Sequence, residues 1–319
     1  MPFPLFIAGA VFAFVLGTVI GSFLNVCIYR LPLGESLLSP PSHCPKCQTR
    51  LRPADLFPLL SYAVLLRGKC RYCKAPISPR YFIIEFITGA LFLAFWCSFT
   101  HQYQEMLPSH SGMLLLAMAW IWASAMLVTF MIDLDTTYVI EPVTWVGMAA
   151  GIIFELTRRH LEQQPLFSIT HVAGVPVPYL DAIPGMVIGF AVFLLIDQFG
   201  RLLFRKPGMG LGDSYIGAAI GALLGPGLAL LSFGIAIFAG AIVGIVIIIF
   251  GKMTPAPAPG HADSTSGGAL HEMLDDEMPP GRYMPFGPFL TASAVLLALL
   301  PGWVLMQAQH LWHWYMHLF

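Results

Sequence analysis

Charge is what this sequence has least of. Only 10% of its 319 residues are Asp, Glu, Lys or Arg, where an ordinary soluble domain carries roughly 25%. Hydrophobic residues make up 57% of the chain, the mean hydropathy is +0.75, and apolar runs long enough to span a bilayer recur from end to end. A soluble globular protein is excluded. The formal net charge of -1 likewise gives no bulk attraction to nucleic acid. A basic residue is also lacking ahead of the first apolar run: Met1–Ile28 meets its first cation at Arg30, the reverse of a cleavable secretory signal. It reads as a retained first span with the N-terminus outside.

Apolar segments lie at about 3–28, 82–100, 112–132, 143–157, 181–203, 214–228, 229–251 and 286–308, each near the ~20 residues that a helix needs to cross the hydrocarbon core. The expected fold is therefore an all-α polytopic membrane protein of about eight transmembrane helices. The fourth and sixth segments are the least regular, because one is short and carries Glu155 while the other is glycine-rich and interrupted by Pro226. If eight helices alternate, one side receives the loops 29–81, 133–142, 204–213 and 252–285. Counting Arg201 at a helix end, that side then holds 14 of the 16 Lys and Arg residues, leaving only Arg158 and Arg159 on the other. The positive-inside rule makes those loops cytoplasmic and places both termini on the far face.

The chain divides into a first transmembrane helix (1–28), a basic cysteine-containing loop domain (29–81), a six-helix membrane core (82–251), a linker (252–285), and a last helix with an external tail (286–319). The linker runs Pro255, Pro257, Pro259, a Gly/Ser stretch, and then Asp275-Asp276-Glu277, too polar to bury a core of its own. The loop 29–81 carries nine cations and four of the six cysteines. Its pairs Cys44-Pro-Lys-Cys47 and Cys70-Arg-Tyr-Cys73 leave residues 48–69, 22 in all, between them. That spacing brings four thiolates around one tetrahedral Zn2+. Two disulfides are the other reading, but such bridges rarely persist in a reducing cytoplasm. Four cysteine ligands leave no open position for a reacting water, so the metal's role is expected to be structural. Cys27 and Cys97 lie in apolar spans and read as packing residues.

Ionisable groups at the edge of a span are functional candidates, because desolvating them is costly. Asp133, in Thr129–Asp135, closes the third span, and Asp213, in Gly208–Asp213, opens the sixth at the same edge. Two carboxylates at one depth can share a proton, one activating water while the other protonates a scissile carbonyl. This is peptide hydrolysis without a covalent intermediate. Helix ends would favour the anion at Asp213 and the neutral acid at Asp133, although a coupled pair titrates as a unit. Gly210 and Gly212 are expected to let a substrate backbone approach and to adopt unusual backbone angles. The plainer readings are a helix cap at Asp213 and solvated loop carboxylates at Asp133 and Asp135. A nucleotide loop at Gly208–Asp213 is rejected, since the string opens a membrane helix and follows no strand.

Taken together these residues resemble the type IV prepilin peptidases, the bacterial inner-membrane leader peptidases and N-methyltransferases of type IV pilus and type II secretion systems. The resemblance runs through Gly21–Pro32, Ser42–Cys44, Leu60–Tyr62, Arg67–Cys73, Ile77–Tyr81, Glu85, Asp133–Asp135, Gly210–Asp213 and Pro285–Leu290. It implies an aspartic peptidase of the G-x-G-D membrane class with Asp133 and Asp213 as catalytic carboxylates and Cys44, Cys47, Cys70 and Cys73 on zinc. It also implies S-adenosylmethionine as methyl donor, prepilins and pseudopilins with basic leaders as substrates, and the inner membrane as location. The family's first aspartate lies seven residues before a proline; here that position is Ile140 and the proline is Pro142, which leaves Asp135 as a reserve. The acidic run Asp275–Glu277 has the charge to attract a basic leader, and no donor-binding residue is identified. Two other classes were weighed: a transporter, which needs polar residues near the midplane of several spans, and a non-enzymatic assembly scaffold docking through the zinc loop.

Overall fold

The structure is a computed structural model describing residues 2–44, 46–52, 55, 58–59, 61–62, 66–103, 109–161, 168–172, 175–179, 181–204, 210–250 and 285–300. The linker and the external tail lie outside them, as do Gly208 and Met209. The helices are α1 (Phe3–Arg30), α2 (Pro79–Gln102), α3 (His110–Thr136), α4 (Glu141–Leu161), α5 (Ala182–Phe204), α6 (Leu211–Phe250) and α7 (Gly287–Leu299). Local chemistry starts and stops them. Ser78 caps α2 by accepting from the Arg80 N–H, with Pro79 in the first turn, and Ser109 caps α3 by accepting from the Gly112 N–H at 3.1 Å. Thr137, in the left-handed region at φ 58°, ends α3 by donating its N–H to the Asp133 carbonyl.

Five of these helices, α1, α2, α3, α5 and α6, are long and apolar enough to cross a membrane. α4 is less apolar, α7 has 13 residues, and α6 is far longer than one crossing. α6 is broken at Gly225, whose φ of 71° only glycine adopts readily, and Pro226 follows. Its halves run in opposite directions. Gly217 and Gly221 of the first half lie against Gly189 and Gly185, Gly225 lies beside Asp181, and in the second half Gly240 meets the ring of Phe286. The sixth and seventh apolar segments of the sequence are thus the two arms of this helical hairpin.

Among the described residues one antiparallel hairpin lies in the α4–α5 connection, β1 (Ser168–Val172) against β2 (Val175–Tyr179), with Ser168 opposite Tyr179. Arg158 and Arg159, expected in that connection, belong instead to the last turn of α4. Arg159 is buried with Glu155, which it meets at 2.7 Å, and with Asp181 at 2.9 Å. Glu155 also accepts from the backbone N–H groups of Asp181 and Ala182 at the start of α5. A buried charge is tolerable only when its partners are all in place, and here they tie the end of α4 to the start of α5.

The remaining contacts define the two ends of the bundle. Arg80 at the start of α2 pairs with Asp135 at the end of α3. At the other end Trp96 donates to the Phe6 carbonyl and Ser98 to that of Leu299. Between them Trp120 stacks on Phe92 with ring centroids 4.8 Å apart, and the buried Trp122 donates to the Ala219 carbonyl at 2.8 Å. α5 and the first arm of α6 pack backbone to backbone: a Cβ at Gly221 would lie 1.9 Å from the Gly185 oxygen. Gly221→Ala is therefore expected to force these helices apart and to destabilise the protein by about 1–3 kcal/mol, read as a lower Tm in detergent. An unchanged Tm would contradict this packing.

Candidate active site and metal centre

Two clusters of candidate side chains sit near the α2-start, α3-end side of the bundle. The first is sulfur. Each cysteine pair closes a turn of the same design. The N–H of the residue after the pair, Gln48 or Lys74, returns to the carbonyl of the first cysteine at 2.8 and 3.0 Å. Both residues adopt positive φ, 54° and 59°. The first cysteines, Cys44 and Cys70, donate their N–H groups to the carbonyls of Thr49 and Ala75. The two knuckles face one another so that all four sulfurs lie within 4.8 Å of each other, with Cys44 and Cys73 3.9 Å apart. Four ligands at the ~2.3 Å Zn–S distance of a tetrahedral site sit roughly 3.8 Å apart, so the cluster fits a metal. None of the four is in a disulfide. Hydrogen bonding from Thr49 pulls the Cys47 thiol down to about 6. A backbone hydrogen bond from Ala75 lowers Cys73, but desolvation and the three neighbouring cysteines push it up to about 11. Four thiols that cannot all ionise together accept a divalent cation in place of their protons.

The loop carrying the knuckles is fastened to the helices. Buried Arg30, at the end of α1, donates to the carbonyls of Ser36 and Pro40. Asn25 donates to the Tyr81 carbonyl, and Glu85 of α2 accepts the Leu59 N–H at 2.9 Å. Arg71 pairs with buried Asp55 at 2.7 Å. A recess of about 330 Å3 beside the second knuckle is lined by Leu66, Arg67, Lys69, Cys70, Arg71 and Lys74. It belongs to the knuckle and holds neither aspartate.

The second cluster is the carboxylates. Asp133, 4% exposed, sits in the last turn of α3, and partly buried Asp213 sits in the first turn of α6. Eighty residues separate them in sequence, yet the start of α7 packs at once on Asp133 and on Ile216, one turn after Asp213. The Asp133 Oδ2 atom is buried without a hydrogen-bond partner. Gly287, at the start of α7, packs directly on it: a Cβ there would lie 2.6 Å from Oδ2. Asp135 is elsewhere, in an exposed ion pair with Arg80. Glu85 is held by the loop, and Asp197 pairs with Arg201 at 2.8 Å within α5. The chain thus brings Asp133 and Asp213 together and leaves the reserve candidate apart.

Two expectations need correction. Gly210 and Gly212 do not adopt left-handed backbone angles. Gly212 serves the protein's own packing, since a Cβ there would lie 2.6 Å from Val139 Cγ2 in the α3–α4 turn. That contact seats the start of α6 against the turn that follows Asp133. Nor is Asp213 the helix cap: its N–H bonds to the Gly210 carbonyl at 3.2 Å, which puts Gly210 at the cap. Sequence reasoning missed Gly287 and Arg80 as parts of the site. Both stood in recognisable strings, but only the fold reveals what they touch.

A helical membrane protein with a four-cysteine knuckle and paired boundary aspartates is a narrow class, and comparison with known proteins defines it further. Residues 15–99 match the Bacterial Peptidase A24 N-terminal domain, and residues 120–245 match the Type IV leader peptidase family. A Prepilin leader peptidase/N-methyltransferase of Myxococcus xanthus (strain DK1622) is 32% identical, covering 94% of this chain and 92% of that relative. One of the same name from Neisseria gonorrhoeae is 32% identical over 93% and 89%. A Type 4 prepilin-like proteins leader peptide-processing enzyme of Escherichia coli O78:H11 (strain H10407 / ETEC) is 33% identical over 68% and 77%. No solved structure matches. The chain belongs to the type IV leader peptidase family, and it is an enzyme of the bacterial membrane.

Proposed function

We propose that this enzyme removes the basic leader peptide of type IV prepilins and pseudopilins on the cytoplasmic face of the inner membrane, and then methylates the new N-terminal amine. Its relatives' names carry both activities. The observation that carries the chemistry is the pairing of Asp133 and Asp213 against Gly287, with Asp135 bound by Arg80. One carboxylate acts as general base on a water, and the other, protonated, donates to the scissile carbonyl as the tetrahedral intermediate forms. The proton taken from water then passes to the departing amine as the C–N bond breaks, while the second carboxylate takes a proton back from a hydroxyl of the intermediate, which restores the pair. Charge sorting supports the cytoplasmic side for this end of the bundle and the periplasm for both termini. S-adenosylmethionine, when bound, supplies the electrophilic methyl group for the second reaction.

In this reading the cysteines hold Zn2+ as a closed structural site that fixes the loop beside the carboxylates. A transporter is disfavoured, because the main acidic candidates gather at one edge. A scaffold would leave both aspartates replaceable. Co-expression with a prepilin tests the proposal: it expects mature pilin with the wild type and with Asp135→Asn, and unprocessed prepilin with Asp133→Asn or Asp213→Asn. Normal processing by both of the latter would end it.

Gly287→Ala makes a second prediction. Its Cβ must displace the Asp133 carboxylate or the Ile216 side chain, which it would meet at 3.0 Å. A misplaced catalytic group costs on the order of 100-fold in rate. Cleavage by Gly287→Ala should fall by about that factor, while the zinc content, set by the four cysteines, stays at the wild-type level. Full activity in this variant would show that Asp133 does not work from its present position.

A further inference from the structure

Buried hydroxyls in this fold follow one habit. Thr88, Thr100, Thr157 and Thr291 each donate to a carbonyl one turn back in their own helix, as buried serines and threonines in membrane helices commonly do. Thr129 and Ser214 do not. Thr129 is 2% exposed and Ser214 1%. Among the described residues, their hydroxyls and the Asp133 Oδ2 atom are the buried side-chain polar atoms without a hydrogen-bond partner. Two of the three fall in one place: Thr129 lies one turn before Asp133 on the same face of α3. Ser214 follows Asp213 but is turned about 100° from it, onto the face where Gly217 and Gly221 meet α5. The hydrogen bond from Trp122 to the Ala219 carbonyl sets the depth of α3 against α6. From it Thr129 lies about 10 Å, and Ser214 about 7 Å, further toward the carboxylate end, counting 1.5 Å per residue.

Such groups are rare in native proteins and usually have a functional explanation. We infer that Thr129 is a positioning residue, whose hydroxyl hydrogen-bonds the Asp133 carboxylate and the water beside it during the reaction. A hydroxyl suits this place because it both donates and accepts. It can give its hydrogen to a carboxylate oxygen while taking one from water. The inference rests on the assignment of Asp133 and Asp213 as the catalytic pair.

The test uses the full-length enzyme in detergent with a full-length prepilin as substrate. Thr129→Val removes the hydroxyl with little change in volume. Because that hydroxyl has no partner in the resting fold, the variant should keep or raise the Tm. Its kcat should nonetheless fall about tenfold or more with KM unchanged, as for loss of a hydrogen bond that forms in the transition state. Thr129→Ser, which restores the hydroxyl, should recover most of the rate. Wild-type kcat in Thr129→Val overturns the inference, as does a joint fall of Tm and kcat that Thr129→Ser fails to rescue. Asp133→Asn and Asp213→Asn run alongside. If these are inactive while Thr129→Val is normal, only this inference fails; if they are active, the catalytic pair fails and takes the inference with it.

Discussion

The double variant Cys44→Ser with Cys70→Ser is expected to lose its zinc and the fold of the cysteine loop together. One sulfur is removed from each knuckle, so neither pair keeps the two ligands that a metal could bridge. In small zinc modules, metal binding contributes about 10–16 kcal/mol and is inseparable from folding. The two knuckles face one another through their sulfurs, all within 4.8 Å, so losing the metal removes what holds the turns together. Metal analysis of the purified enzyme should give one zinc per wild-type chain and none in the variant. Limited proteolysis should cut the variant within residues 29–81 while the helices resist. Acid should act in the same direction on the wild type. Protons compete with metal for thiolates, and a site containing one thiol pushed up to about 11 gives up its metal as pH falls. A variant that retains wild-type zinc would refute the four-cysteine site.

The aspartates should behave as one unit. Asp133→Asn and Asp213→Asn each preserve shape and remove the ability to ionise, so each should lower kcat about 100- to 10,000-fold, the typical worth of a general acid or base. The double variant should be no worse than the more damaging single one, since removing either member already disables the pair. Folding should survive all three changes, because burying a neutral amide in place of a carboxylate relieves a desolvation cost. Multiplying effects in the double variant would mean that the two side chains act in separate steps. The kinetics of purified enzyme on full-length prepilin distinguish these outcomes.

Hydropathy located the helices, because lipid exposure is a property each residue carries by itself. The expected segments 3–28, 82–100 and 112–132 differ from α1, α2 and α3 by a few residues, and Pro226 marked the break in α6. The cysteine cluster was legible for a similar reason, since the spacing within each pair already forms the knuckle. Pairwise facts were not legible. Nothing in the local sequence tells that Arg80 meets Asp135, that Gly212 seats on Val139, or that Gly287 covers Asp133. These depend on helix register and rotation, which apolar surface leaves free. Arg159 was misplaced because a basic residue near a span end ordinarily faces water, whereas here Glu155 and Asp181 bury it. Thr129 and Ser214 gave no signal at all, since an unpartnered hydroxyl has the same letter as one bonded to its own helix.

Asp133 as the partner of Asp213 is the centre of this account, and its most direct test is the rate of leader removal by Asp133→Asn measured beside Asp135→Asn. Asp133 is buried and facing Gly287, and Asp135 is exposed and paired with Arg80. The account predicts that Asp135→Asn cleaves within a few fold of the wild type while Asp133→Asn falls by at least about 100-fold. The reverse result, a nearly normal Asp133→Asn and an inactive Asp135→Asn, would contradict it.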